Sequence, residues 1–300
     1  MNKLYRYDIM VSIVKRKRNE KTEYYLVYSS RGKAKEKYLG TKEPKNLKEL
    51  IKEHEEQSYR EDKMPLLETI QKNYSKRNQT IDKKILDNEN HGLKITHTYS
   101  TQKIEGSTMT LGQTRKLLEE KLSPKDTLIE DINEAKQLAE IFDEMLITKD
   151  DISKKMIFKW HEKLFEKTDT NNAGSFRRVN VQPYLGKTQY VLWDEVIPEI
   201  EKLVNWYNKN KKKMNPVELS ARFHRKFELI HPFIDGNGRI GRLLMIFILH
   251  KNEYPMINVD PKEKQTYINK LESSYLKNNE LIFVKWFVSK YLRDNKKFLN

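Results

Sequence analysis

Between His231 and Arg242 the chain gathers an imidazole, a carboxylate, glycines and two guanidinium groups in the order His231-Pro232-Phe233-Ile234-Asp235-Gly236-Asn237-Gly238-Arg239-Ile240-Gly241-Arg242. An imidazole accepts a proton near neutral pH. The Asp235 carboxylate is a hard oxygen ligand of the kind Mg²⁺ takes, and that ion arrives with phosphates and keeps several waters. Gly236 and Gly238 permit backbone conformations that aim several N–H groups into one concavity, where an anion fits. Each piece has a bland reading as a helix cap, a turn or a surface ion pair. Their coincidence in one short stretch points to proton abstraction beside a bound polyphosphate.

Two helices must hold that stretch. Val217, Ala221, Phe223, Phe227 and Ile230 describe an apolar helix face that stops at His231, because a following proline disfavours helical geometry. Leu243, Leu244, Phe247 and Ile248 begin a second helix after the glycines. Its N-terminus adds positive potential to the nest, and Arg239 and Arg242 in its first turn oppose the dipole unless something negative sits nearby, which a polyphosphate would supply. Asn215-Pro216 reads as a cap followed by proline at the first helical position, and Asp150 or Asp151 as the cap of a helix carrying Ile157, Trp160, Leu164 and Phe165.

Helical periodicity dominates from Pro65 onward, in Leu66, Leu67, Ile70 and Tyr74 and again from Ile132 to Leu146. Val179, Val181, Tyr190 and Val191 around Gly186 suggest a β-hairpin inserted in the helical bundle. The first residues differ. Tyr5 to Val14, Glu23 to Tyr28 and Lys33 to Leu39 read as strands, with Lys15-Arg16-Lys17-Arg18 as the loop of a hairpin. A charged helix from Leu47 to Tyr59 follows, and Met64-Pro65 marks a boundary. The expected organisation is a small β-rich module over residues 1–62 and a mainly α domain over 63–300.

The stretch from His231 matches the signature of Fic-domain proteins, His-x-Phe-x-(Asp or Glu)-Gly-Asn-Gly-Arg-x-x-Arg, at His231, Phe233, Asp235, Gly236, Asn237, Gly238, Arg239 and Arg242. The resemblance covers roughly Pro65 to the C-terminus and implies a Fic-fold helical bundle with a β-hairpin flap. It further implies protein adenylylation: a target hydroxyl, deprotonated by His231, attacks the α-phosphate of ATP and expels pyrophosphate. Phe233 would anchor the loop. Asp235 would hold Mg²⁺, the backbone and side chain over Gly236, Asn237 and Gly238 would stabilise developing charge, and Arg239 and Arg242 would orient the outer phosphates. Ile240 and Gly241 fall in the same ATP-binding stretch, and Tyr267 lies where the family places a residue near the adenine. Lys187, Thr188, Gln189, Tyr190 and Val191 would be the flap that aligns the target by strand addition.

A second stretch, Ser100-Thr101-Gln102-Lys103-Ile104-Glu105-Gly106, resembles the family's inhibitory helix motif, (Ser or Thr)-x-x-x-Glu-(Gly or Asn), at Thr101, Glu105 and Gly106. The resemblance places an inhibitory helix near 97–106, upstream of the signature as in class II relatives. It pairs Glu105 with Arg242, which blocks the position of the γ-phosphate. Gly106 is a natural helix stop, and a carboxylate at that end is disfavoured by the dipole unless a cation meets it.

Composition sets the outer bounds. Without any cysteine, disulfides, thiolate metal sites and cysteine nucleophiles are excluded. The formal charge of +15 favours polyanionic partners, but lysine is spread along the whole chain, so a nucleic-acid partner is left open and unsupported. The longest apolar run, Leu243 to Leu249, is far shorter than a membrane span, and no apolar leader begins at Met1, so the expected location is cytoplasmic. The expected partners are ATP with Mg²⁺ and an unidentified protein, self-modification included. Two rival functions remain: removal of AMP at the same site with Glu105 orienting water, and a basic nucleic-acid-associated module.

Overall fold

The computed structural model describes residues 11–18, 21–30, 33–182 and 188–299. Compact packing divides the chain into two units, residues 1–69 and residues 70–300. In the first, β1 (Ser12–Arg18), β2 (Lys21–Ser30) and β3 (Lys33–Gly40) form an antiparallel sheet in the order β1-β2-β3. Tyr24 and Leu26 on one face of β2 are buried, as alternation along a half-buried strand requires. The basic patch is not a loop. Lys15 to Arg18 lie within β1, paired from Lys15 opposite Tyr24 to Arg18 opposite Lys21, and the first-strand residues from Tyr5 to Met10 fall outside the described residues. Cross-strand partners explain how exposed cations sit in a strand: Arg16 stacks over the Tyr25 ring and pairs with Glu36, and Lys15 pairs with Glu43 at 3.3 Å.

Helix α1 (Leu47–Thr80) continues through Pro65, so the helix itself does not end at the expected boundary, while the two units divide a few residues later. The lost hydrogen bond costs about 3 kcal/mol, and burial of Tyr59, Leu67 and Ile70 on either side of it offsets that cost.

The second unit is helical. Its elements are α2 (Lys83–Glu105), α3 (Leu111–Glu119), α4 (Ile129–Ile147), α5 (Lys154–Phe165), α6 (Val196–Asn210), α7 (Pro216–Ile230), α8 (Asn237–Lys251), α9 (Lys264–Leu276) and α10 (Leu281–Asp294). Helix α8 is the centre, packed against α7, α2, α4 and α5. That position explains why its run from Leu243 to Leu249 is apolar all round: every one of those side chains is buried. Seven such burials contribute on the order of 10–20 kcal/mol as an upper limit.

Starts and stops follow local chemistry. Asn215 Oδ1 accepts from Val217 N–H at 2.9 Å with Pro216 as the first helical residue, and Thr110 with Gln113 forms a reciprocal capping box for α3. The cap of α5 is Ser153, whose Oγ accepts from Met156 N–H at 3.1 Å, and not Asp150 or Asp151. Asp151 instead meets Lys211 at 2.7 Å and Lys251 at 3.3 Å. Between α5 and α6 no strand forms among the described residues. No helix among them is long and apolar enough to cross a membrane.

Candidate active site

The stretch from His231 to Gly236 is a tight loop between α7 and α8, turned by two left-handed residues. His231, with φ 50° and ψ 60°, ends α7, and Gly236, with φ 80°, precedes α8. A side chain at Gly236 would collide with the Phe165 ring, so the residue type is dictated by the turn and by packing together.

Asn237 locks this loop. Its Oδ1 accepts from Phe233 N–H and its Nδ2 donates to Phe233 O, both at 2.9 Å, with the side chain buried. The amide thus clasps the loop backbone through its oxygen and one of its two Nδ2 hydrogens. Phe233 is fully buried and stacks on the His161 ring at 3.7 Å between centroids. His161 Nδ1 accepts from Gly174 N–H at 3.0 Å, which fixes the tautomer in which Nε2–H donates to Asp235 O at 3.1 Å. Burial holds this imidazole down at about 4, so it is a neutral strut.

The first turn of α8 carries no side-chain cap. Gly238 of that turn lines a cavity of about 650 Å³ whose walls include Glu105, Tyr190, His231, Arg242 and Tyr267. Ile240 is fully buried, so it offers this cavity no side chain. Gly241 faces α7, where a Cβ would meet Glu228 and Phe227, and serves close helix packing. Tyr267, also buried, accepts or donates across 2.7 Å to His224 Nε2, and burial pushes its phenol well up.

The two arginines have different partners. Arg239 is buried over the Phe165 ring and is engaged by Glu134, by Asp235 Oδ2 at 2.9 Å and by Gln102 Oε1 at 3.3 Å. Protein carboxylates thus meet its charge at the helix N-terminus. Asp235 is the exposed member: burial of its surroundings acts to raise its carboxyl, but Arg239 and Gly236 N–H win and hold it below the ordinary value, so it stays ionised.

Arg242 is held by the other helix. Its Nε donates to Thr101 Oγ1 at 2.8 Å, and its Nη2 donates to Thr101 O at 3.2 Å and to Glu105 Oε1 at 2.5 Å. Gly106, left-handed at φ 110°, ends α2 immediately after Glu105, and its N–H caps Gln102 O and Lys103 O. The Glu105 carboxylate lies where a Cβ of Gly238 would be. It occupies the mouth of the α8 N-terminus as well as Arg242.

His231 presents its ring to the same cavity. Nδ1 approaches Glu228 O at 3.4 Å, which leaves the Nε2 lone pair to accept a proton. Burial, with Arg177 assisting against Glu105 and Asp235, lowers the ring to about 4, so it is neutral at physiological pH. The Tyr190 ring lies flat on it, 4.0 Å between centroids and 5° between planes. Tyr190 is thus turned inward. Of the other expected flap residues, Thr188 is buried, Gln189 is exposed, and Lys187 and the turn at Gly186 lie outside the described residues. Among the described residues the arms are joined without a strand ladder: Arg177 donates to Val179 O and Val191 O, and Trp193 N–H donates to Asn180 Oδ1 at 3.0 Å.

Three participants had no signal in the sequence: His161, Arg177 and Glu228. Glu228 lines the cavity one helical turn before His231, and its Oε1 is buried without a hydrogen-bond partner among the described residues. Burial raises that carboxyl to about 8, with Arg242 opposing and Glu105 reinforcing. Among the described residues no cluster of three or more His, Cys, Asp or Glu side chains is gathered to hold a metal ion.

Comparison with known proteins agrees with this construction. The profile of the Fic/DOC family matches residues 151–249. A protein adenylyltransferase Fic of Drosophila ananassae is 34% identical over 180 residues, 59% of this chain and 36% of the relative. A protein adenylyltransferase fic-1 of Caenorhabditis briggsae is 31% identical over 186 residues, 60% of this chain and 36% of the relative. The chain thus spans about a third of the length of these curated relatives. Among solved structures, a Fic domain containing signaling protein from Bacteroides thetaiotaomicron aligns with a TM-score of 0.68 at 27% identity, over 77% of this chain and 95% of that one. Fic-1 from C. elegans aligns with a TM-score of 0.69 at 24% identity, over 86% of this chain and 77% of that one, and shares the fold. Residues 151–249 thus match the Fic/DOC family, and the chain shares the fold of solved Fic-domain structures.

Proposed function

We propose that residues 63–300 are a protein adenylyltransferase that moves AMP from ATP to a target hydroxyl, with residues 1–62 as an accessory module. The observation that carries this reading is the uncapped N-terminus of α8 opening into one cavity beside a neutral, buried His231. In the reaction, His231 Nε2 accepts the hydroxyl proton as the target oxygen forms a bond to the α-phosphorus. The bond from that phosphorus to the β-phosphate bridging oxygen breaks, and pyrophosphate leaves. The first-turn N–H groups of α8 stabilise charge on the phosphates, and Arg242, once released by Glu105, takes the γ-phosphate.

Mg²⁺ fits this arrangement. Asp235 is ionised and exposed, and a single protein carboxylate with phosphate and water oxygens is a set that this ion accepts. When bound it neutralises phosphate charge. Arg239 would hold the Asp235 carboxylate in place through the 2.9 Å contact.

Glu105 acts in this reading as an intramolecular inhibitor. Its hold on Arg242 blocks the γ-phosphate, and its place over Gly238 sets a carboxylate against the anion nest. Removal of AMP by a water held on Glu105 is the alternative reading of the same site. The test is incubation of Glu105→Gly protein with α-labelled ATP and Mg²⁺, followed by mapping of labelled residues by mass spectrometry. Label on a protein hydroxyl, on this chain or on an added extract, is expected. Absence of any label under conditions where ATP binds would refute transfer.

A further inference from the structure

Arg177 is 3% exposed, and no carboxylate pairs with its guanidinium among the described residues. Backbone carbonyls solvate it instead. Nε donates to His231 O at 2.7 Å, Nη1 to Val179 O at 2.9 Å, and Nη2 to Ile230 O at 3.2 Å and to Val191 O. Ile230 and His231 end α7, where carbonyls lack intrahelical partners and the dipole is negative, so a cation is favoured there. Val179 and Val191 belong to the two arms that lead into and out of the expected target-docking segment. Two backbone bonds brace the same joint: Arg177 N–H to Pro232 O at 2.9 Å and Val191 N–H to Leu229 O at 3.3 Å.

Tyr190 sits next to the anchored Val191 and covers the His231 ring face to face. The imidazole has little else to orient it. Its Nδ1 contact to Glu228 O is long at 3.4 Å, and the nearest carboxylate oxygen, Glu228 Oε2, is 4.0 Å away. A general base works best when a third group fixes its ring, commonly through a hydrogen bond to the far nitrogen. Here the stacked phenol, held by an anchored backbone, is placed to do that.

We infer that Arg177 and Tyr190 are positioning residues for His231: Arg177 ties the end of α7 to both docking arms, and Tyr190 fixes the imidazole plane so that Nε2 meets the incoming hydroxyl. This rests on the adenylyl-transfer reading of His231. It also links seating of a target to readiness of the base, because one guanidinium holds both elements.

The test compares Tyr190→Leu, Tyr190→Phe and Arg177→Lys, each in the Glu105→Gly background. Three quantities are measured: ATP Kd by calorimetry, turnover from α-labelled ATP at saturation, and the His231 titration by NMR of ¹³C-histidine-labelled protein. The His231 resonance is identified by its loss in His231→Ala. Tyr190→Leu and Arg177→Lys are expected to lower turnover about ten- to a hundredfold while ATP Kd stays within about twofold. The His231 midpoint should rise toward the ordinary imidazole value as water reaches the ring. Tyr190→Phe should restore most of what Tyr190→Leu loses. Tyr190→Leu leaves the Arg177 carbonyl network in place, so it decides the matter if Arg177→Lys does not fold. Unchanged turnover with an unchanged His231 titration overturns the inference, as does a parallel loss of ATP affinity. If the Glu105→Gly parent transfers nothing, the adenylyl-transfer reading fails separately, and the titration alone decides: a raised midpoint supports the stack, an unchanged one rejects it.

Discussion

Replacing Glu105 by glycine should tighten ATP binding and raise transfer, by an amount the contact itself bounds. A hydrogen bond to a charged group is worth about 1.5–3 kcal/mol. The Arg242 side chain is 4% exposed and that of Glu105 is 35% exposed, so solvent reaches one partner and brings the estimate to about 1–2 kcal/mol. Arg242 does not collapse when Glu105 leaves, because Thr101 Oγ1 and O still hold its Nε and Nη2. The freed energy then appears as an ATP affinity about 5- to 30-fold higher. Calorimetry with ATP and Mg²⁺ on wild type, Glu105→Gly, Arg242→Ala and the double variant measures it, and α-labelled transfer measures its consequence. Glu105→Gln separates charge from space: it removes the anion but still fills the site over Gly238, so its gain should be smaller. Equal ATP affinity in wild type and Glu105→Gly would refute the reasoning, and so would a full gain in the absence of Arg242.

Three further outcomes are expected. His231→Ala in the Glu105→Gly background should keep ATP binding and lose about 10²–10⁴ in transfer, since the imidazole acts on the hydroxyl and not on the phosphates; calorimetry beside a transfer assay checks both halves. Asp235→Ala should weaken the Mg²⁺ dependence of ATP binding, read by titrating Mg²⁺ at fixed ATP, and an unchanged dependence would leave Asp235 only its contacts to Gly236 and Arg239. Stability should fall on acidification: burial holds His97, His161 and His231 at about 4 and His224 at about 3 in the folded chain. Their unfolded values are about 6.5, so the unfolded chain binds the extra protons between those limits. The contribution is intact above about 6.5 and is lost as pH drops toward 4, by up to about 1.4 kcal/mol per pH unit for each histidine. A urea midpoint equal at pH 7 and pH 5 would count against it.

The loop between α7 and α8 was legible because its signals are local. Proline after His231, glycine at a left-handed position and apolar faces on both flanks each act within a turn of the chain. The same holds for Gly106 ending α2 and for Asn215 starting α7. What escaped depends on contacts between distant residues. Arg239 meets Glu134, and Arg177 meets the end of α7, across sequence separations that no spacing rule spans. Asn237 is ambiguous in sequence because an amide serves equally as a clamp or as a charge donor, and its contacts to Phe233 N–H and O show the clamp. The Lys15 to Arg18 patch lacks the apolar alternation that marks a strand, so its β conformation comes from cross-strand partners. Pro65 differs: helix α1 continues through it, with buried residues on both sides.

The tether of Glu105 has a kinetic meaning. Because the carboxylate arrives on a helix of the same chain, its local concentration at Arg242 is of the order of millimolar or more, and diluting the protein does not lower it. An inhibitor of the kind proposed for Glu105 is not removed by washing. Millimolar ATP competes with it only in proportion to differential affinity, whereas fraying of the last turn of α2, which Gly106 N–H closes onto Gln102 O and Lys103 O, removes it at once. Under the proposed inhibition, a binding partner need not approach the cavity at the α8 N-terminus to raise transfer. It need only favour the frayed end of α2, and the degree of activation then reports how much more tightly it holds that end than the docked one.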